Sequence, residues 1–205
     1  SGQQGASSLS GPLLPMIVSI TYRMGGTMNA PDSTRPAILF TAFEPSGDAL
    51  AAPIIERLKA RAPGVEIYAW GGPLMEKAGA TIVEQSVSGA AMGLGALKRA
   101  RAVSKSRRAI KRWLKQYRVL AHVPVDSPAA NFPICKITRK LGVKIIHLGA
   151  PQLWAWGAWR AGKLRKLTDL VLCLLPHEVS WFQERNIPNR FIGHPAINRE
   201  LDLKA

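Results

Sequence analysis

Residues 37–70 read AILFTAFEPSGDALAAPIIERLKARAPGVEIYAW. An apolar run, Ala37–Phe43, leads into a helical pattern over Gly47–Arg61. The stop Pro63-Gly64 follows, and then a second apolar run, Val65–Trp70. Short β-branched runs alternating with helical patterns are the signature of a parallel sheet covered on both faces. The alternation continues with strands predicted at Thr81–Val83, Val119–Val125, Val143–Leu148, Leu170–Leu175 and Arg190–Ile192. Helices are predicted at Leu94–Tyr117, Asn131–Leu141, Trp159–Leu167 and Glu178–Arg185. The fold class is therefore α/β, a single doubly wound, Rossmann-like parallel-sheet domain over residues 36–195. Residues 1–35, rich in Ser, Gly and Pro, read as disordered or as an upstream extension, with Met24 or Met28 as candidate starts. Residues 196–205 read as the start of a linker.

With 205 residues and 47% hydrophobic content, the chain supports one good core. Its 28 Lys and Arg against 13 Asp and Glu leave a net charge of +15. A field of that strength suits nucleic acid, an anionic membrane surface or a phosphorylated small molecule. The two cysteines, Cys135 and Cys173, lie far apart inside apolar runs, as buried thiols of a reducing compartment do. No apolar run reaches the ~18–20 residues that a membrane-spanning helix needs. Leu13–Tyr22 lacks the basic lead and cleavage site of a signal peptide. A cytoplasmic chain is expected.

The ends of the predicted strands carry the chemistry. In open parallel sheets ligands bind at that edge. Glu44-Pro-Ser46-Gly47-Asp48 follows the first strand. Ser46 is placed to cap the next helix, Gly47 to allow a close backbone approach, and the helix start to hold a phosphate or sugar hydroxyl. A capped helix with Asp48 offsetting its dipole explains the same residues. Gly71-Gly72-Pro73 ends the second strand as a turn and is no GxGxxG fingerprint, so no nicotinamide cofactor is expected. Asp126 ends an apolar strand, a position suited to a general base, although an Asx-turn before Pro128 is the plainer alternative. Asn131 can cap the following helix while facing the same cleft. Trp154, Trp156 and Trp159 lie beside Arg160, Lys163, Arg165 and Lys166, either as a platform for sugars or lipid phosphates or as a local core plug. His194 follows a glycine at the last strand's end. His122, His147, His177 and His194 show no ligand spacing, so no metal is expected.

The Leu94–Tyr117 pattern carries Lys98, Arg99, Arg101, Lys105, Arg107, Arg108, Lys111, Arg112 and Lys115 against an inner face of Val103, Ile110, Trp113, Leu114 and Tyr117. Such a face can rest on anionic headgroups, at about 1 kcal/mol per cation. The apolar, flexible Met92 and Leu94 before it can dip into the interface. A nucleic-acid partner has only the net charge and the Trp/Arg cluster in its favour and no recognised motif, and is not expected.

Taken together, the motifs resemble the N-terminal half of lipid-A-disaccharide synthases, glycosyltransferases of the two-domain GT-B type. The resemblance runs through Ala42-Phe-Glu44-Pro-Ser46-Gly47-Asp48, Gly72-Pro73-Leu74-Met75, Met92-Gly93, Asp126-Ser-Pro128-Ala-Ala-Asn131, Trp154-Ala-Trp156, Thr168-Asp169, Leu175-Pro176 with Glu178, and Gly193-His194-Pro195. It departs from the family's pattern at Phe43, Ala129 and Ala130, where the family has Gly, a second carboxylate and Phe. The resemblance implies transfer from UDP-2,3-diacylglucosamine to 2,3-diacylglucosamine 1-phosphate, giving the lipid A disaccharide 1-phosphate and UDP. It implies inversion, no metal or cofactor, and work at the inner face of the cytoplasmic membrane. Asp126 would deprotonate the acceptor hydroxyl; Glu44, Ser46, Gly47, Asp48, Gly72, Asn131, Trp154, Trp156 and His194 would bind substrate. Met92, Leu94, Lys98, Arg99, Arg101, Lys105, Arg108 and Arg112 would face the membrane. The donor-binding C-terminal domain of GT-B enzymes has no counterpart in the sequence, so a donor-side domain acting in trans is expected. The alternative is a non-catalytic membrane-surface module that binds lipid or sugar phosphate.

Overall fold

The computed structural model describes residues 36–87 and 96–195. For residues 96–100, Trp154 and Trp156 it describes the backbone alone. Met92, Leu94 and the two terminal stretches lie outside the described residues, as do the side chains of Lys98 and Arg99.

Among the described residues seven strands form one sheet in the order β3-β2-β1-β4-β5-β6-β7, with every pairing parallel. They are β1 (Ala37–Thr41), β2 (Glu66–Gly71), β3 (Thr81–Gln85), β4 (Ala121–Pro124), β5 (Lys144–Leu148), β6 (Leu170–Cys173) and β7 (Asn189–Phe191). The helices are α1 (Pro45–Arg61), α2 (Pro73–Lys77), α3 (Ala96–Trp113), α4 (Pro128–Lys140), α5 (Leu153–Trp156), α6 (Ala161–Leu167) and α7 (Pro176–Gln183), with a 3₁₀ turn at Ala158–Arg160 before α6. The chain runs from β1 outward to β3, then crosses back past β1 and runs outward the other way from β4 to β7. That reversal is the doubly wound topology, and it makes the β1/β4 boundary the switch point.

The period-2 pattern of β1 serves two buried faces. Ile38, Phe40 and Ala42 join Leu50, Ala51, Ile55 and Leu58 of α1 and Met75 of α2 on one side. Ala37 and Leu39 join Ile110 of α3 and Ile134 of α4 on the other, with Phe43 packed against that cluster. Farther along the sheet the second side is filled by Cys135, Leu164, Cys173 and Phe182. Burial holds the Cys135 and Cys173 thiols well above the usual range, at about 12 each. Trp113 and Tyr117 stack at 4.5 Å, and Trp113 meets Tyr68 and Trp70 edge-on, which pins α3 to β2. Among the described residues no helix is long and apolar enough to cross a membrane.

Three helix starts differ from the sequence reading, each because of a proline. Pro45, Pro128 and Pro176 occupy the first helical turn, so α1, α4 and α7 begin two or three residues earlier than predicted. Proline suits that turn because its missing N–H has no intrahelical partner there. Ser46 therefore lies inside α1 and caps nothing; the N-cap position belongs to Glu44. Asn131 likewise lies within α4 and does not cap it. The turn expected at Gly71-Gly72-Pro73 instead ends β2 and opens the short helix α2.

Candidate functional site

The switch point brings two loops together. After β1, Glu44 and Ser46 are exposed at the head of α1; after β4, Asp126, Ser127 and Pro128 are half-buried at the head of α4. Ser127 Oγ donates to Glu44 Oε1 at 3.3 Å and bridges the loops. Asp126 and Ser127 have φ of 46° and 34°, the left-handed region that non-glycine residues rarely occupy. The Asp126 N–H donates to the Leu148 carbonyl at 2.9 Å, which ties the loop to the end of β5. Strain of this kind, held by surrounding structure, concentrates at functional sites. The Glu44 and Asp126 carboxylates thus follow the ends of two adjacent strands, β1 and β4.

The other sequence candidates fall into different places. Gly47 is buried, and a Cβ added there would lie 3.2 Å from Ala42 Cβ and 3.6 Å from Val125 Cγ1, so its close approach serves helix-on-sheet packing. Asp48 is 2% exposed, and its carboxylate accepts from the backbone N–H groups of Gly72 (3.1 Å), Leu74 (3.0 Å) and Met75 (3.0 Å). It thus caps α2 from a distance in sequence. A Cβ on Gly72 would collide with that carboxylate. Asp48→Ala is expected to cost about 3 kcal/mol, since two buried donors and a part-buried one lose a charged acceptor, and urea unfolding measures it.

Asn131 is fully buried, and its amide donates to the carbonyls of Val125 (2.9 Å) and Asp126 (3.0 Å). It holds the Asp126 loop from beneath and does not line the cleft. Trp154 and Trp156 lie along α5, after β5 and so beside the Asp126 strand. Trp159 is 78% exposed, with the Arg160 guanidinium 4.5 Å from its ring centre, so it is no core plug. His194 is exposed at the same sheet edge, but β7 stands three strands from β4, about 14 Å at usual strand spacing. On α3, Arg101, Lys105, Arg108 and Arg112 are exposed, and Lys105, Arg108, Lys111, Arg112 and Lys115 line one shallow depression.

Sequence reasoning missed Thr41, His122 and Thr138, three buried polar residues beneath the Asp126 loop. The signal was a Thr and a His inside otherwise apolar strand runs, read only for metal spacing. Burial holds the His122 imidazole down at about 3, helped by nearby His147, and burial also lowers His147, to about 4.

Solved structures share this architecture. UGT2 of Phytolacca americana, solved with UDP-2fluoro-glucose and pterostilbene, superposes with a TM-score of 0.53 at 11% identity, over 79% of this chain and 54% of that one. A glycosyltransferase from Rickettsia africae gives 0.51 at 15% identity, over 78% and 43%. The fold is thus the Rossmann-like half of a GT-B architecture. In sequence the chain is 34% identical over 172 residues to the lipid-A-disaccharide synthase of Granulibacter bethesdensis, over 82% of this chain and 43% of that protein. It is 36% identical over 162 residues to the corresponding protein of Pseudomonas putida, over 78% and 43%. The chain spans less than half the length of these relatives. The model of the lipid-A-disaccharide synthetase family matches residues 38–204, a stretch containing both switch-point loops, and the chain belongs to that family.

Proposed function

We propose that this chain is the acceptor-side domain of an inverting glycosyltransferase. It joins UDP-2,3-diacylglucosamine to 2,3-diacylglucosamine 1-phosphate, and a donor-side domain completes the site. The observation that carries this reading is the Glu44–Ser127 bridge beside Asp126 at the switch point, in a chain of this family. The Asp126 carboxylate takes the proton of the acceptor hydroxyl as that oxygen attacks the anomeric carbon of the donor. The new C–O bond forms on the face opposite the departing UDP, whose own bond to that carbon breaks, so the centre inverts. Glu44 and Ser46 offer hydrogen-bonding groups to the acceptor sugar. Release of UDP from the two lipid substrates, with the 205-residue chain alone and with a separately produced donor-side domain, tests the proposal. Turnover in either setting supports a transferase; a folded chain without turnover in both points to a non-catalytic binder of lipid or sugar phosphate.

The membrane partner belongs to the same reading, with the chain peripheral on the cytoplasmic face. Helices α3, α4 and α6 lie side by side and contain no acidic residue, yet carry half of the chain's 28 Lys and Arg. A layer of one sign matches an extended anionic surface. Replacing Lys105, Arg108, Lys111 and Arg112 by Gln is expected to weaken binding to phosphatidylglycerol-containing vesicles at least about tenfold, at ~1 kcal/mol per cation. Vesicle co-sedimentation measures it. Equal binding by the variant, or salt-sensitive RNA binding with no preference for these vesicles, would count against the membrane face.

A further inference from the structure

Beneath the Asp126 loop, four buried polar side chains form a line across three elements. Asn131 Nδ2 donates to the carbonyls of Val125 and Asp126, so its Oδ1 is the acceptor for the Thr41 hydroxyl at 2.7 Å. The Thr41 hydrogen being committed, Thr41 Oγ1 can only accept from His122 Nε2–H at 2.8 Å. His122 Nδ1 is then bare and accepts from the Thr138 hydroxyl at 3.0 Å. One proton arrangement satisfies every member, and it runs in one direction, from Thr138 in α4 through β4 and β1 back to the head of α4. Thr41, His122, Asn131 and Thr138 are each 0% exposed.

Leu39, Ile134 and Val143 pack on this side of the sheet, so apolar residues would fill the same space without the desolvation that polar groups incur. What the polar line adds lies at its end. β4 stops at Pro124, and the Val125 and Asp126 carbonyls are received by the Asn131 amide just where the backbone turns left-handed. Resting on the reading of Asp126 as general base, we propose that Thr41, His122 and Thr138 are positioning residues. They fix the orientation of Asn131, and through it the left-handed loop that aims the Asp126 carboxylate.

The test uses the 205-residue chain with nitrogen-labelled histidine and backbone. The unsubstituted protein is expected to show His122 as the neutral Nε2–H tautomer by its ring-nitrogen shifts. In Thr41→Val, exchange of the Asp126 amide, which bonds the Leu148 carbonyl, should speed up about tenfold or more as two buried groups lose their partner. Thr41→Ser should restore it, and the Ile192 amide, bonded to Cys173 on the far side of the sheet, should be unmoved in both. In the transferase assay, Thr41→Val should lower kcat with KM retained, and Thr41→Ser should recover it. An Nδ1–H tautomer at His122, or unchanged Asp126 exchange in Thr41→Val, overturns the proposal. The tautomer is read on the unsubstituted chain and so decides even where Thr41→Val does not fold. Absence of turnover by the unsubstituted chain with its donor-side domain would instead count against the transferase reading, since tautomer and exchange do not depend on turnover.

Discussion

Asp126→Asn is expected to lower kcat for sugar transfer by roughly 10²–10⁴-fold while leaving KM for the acceptor near its original value, the range that a positioned general base contributes. The substitution isolates the chemistry. Asn has the size of Asp and is among the residues that best tolerate the left-handed region, so the φ of 46° at this position persists without added strain. The backbone bonds that seat the loop, from Asp126 N–H to Leu148 and from Asn131 to the Val125 and Asp126 carbonyls, do not involve the exchanged atoms. What disappears is the proton acceptor. Asp126→Ala would be a poorer probe, because a residue without a short polar side chain is less at home at positive φ. Glu44 is the competing carboxylate, exposed and tethered to Ser127. Glu44→Gln is expected to cost less than Asp126→Asn and to act mainly on KM. UDP release under saturating and limiting acceptor separates the two, and a loss of only twofold for Asp126→Asn with a large one for Glu44→Gln would move the base to Glu44.

How far the site was legible in the sequence follows from which interactions are local. That Glu44 and Asp126 stand at strand ends could be read directly, because an apolar run and the turn residues after it are contiguous. That the two strands are neighbours could not, since the β1–β4 pairing joins residues about eighty positions apart and depends on where the chain reverses. Ser46 suits a cap by residue type, whereas Pro45 at the first helical position moves the helix start ahead of it. Asp48 looked like a ligand group by its place in a motif. Its carboxylate belongs to α2, an element too short to show a period in sequence. At Gly47 the close neighbours are Ala42 and Val125, so the space that a glycine leaves there is taken by the sheet side of the fold. The polar line beneath the loop went unread because its four members come from separate segments, and each alone is an ordinary Thr, His or Asn.

The second large effect is on stability. Lowering the pH from 7.5 to 5 is expected to reduce the unfolding free energy by about 4 kcal/mol, roughly 2 from each of two buried histidines. His122 titrates at about 3 and His147 at about 4 in the folded chain, against 6.5 when unfolded. Both folded values are depressed, so between them and 6.5 the unfolded state binds protons that the folded state refuses. Stability is therefore intact above pH 6.5 and falls as the pH drops through the window below it, by ~1.4 kcal/mol per unit for each group. A loss of about 4 kcal/mol is a large share of the roughly 5–15 kcal/mol that holds a domain together. His177 and His194 are exposed and do not share this burial. Urea midpoints at pH 7.5, 6 and 5 measure the slope, and a flat profile would mean that the two imidazoles are hydrated in solution. His147→Leu should remove about half of the slope, since the His147 ring has Nδ1–H donating to the Gly149 carbonyl and an Nε2 without a partner among the described residues.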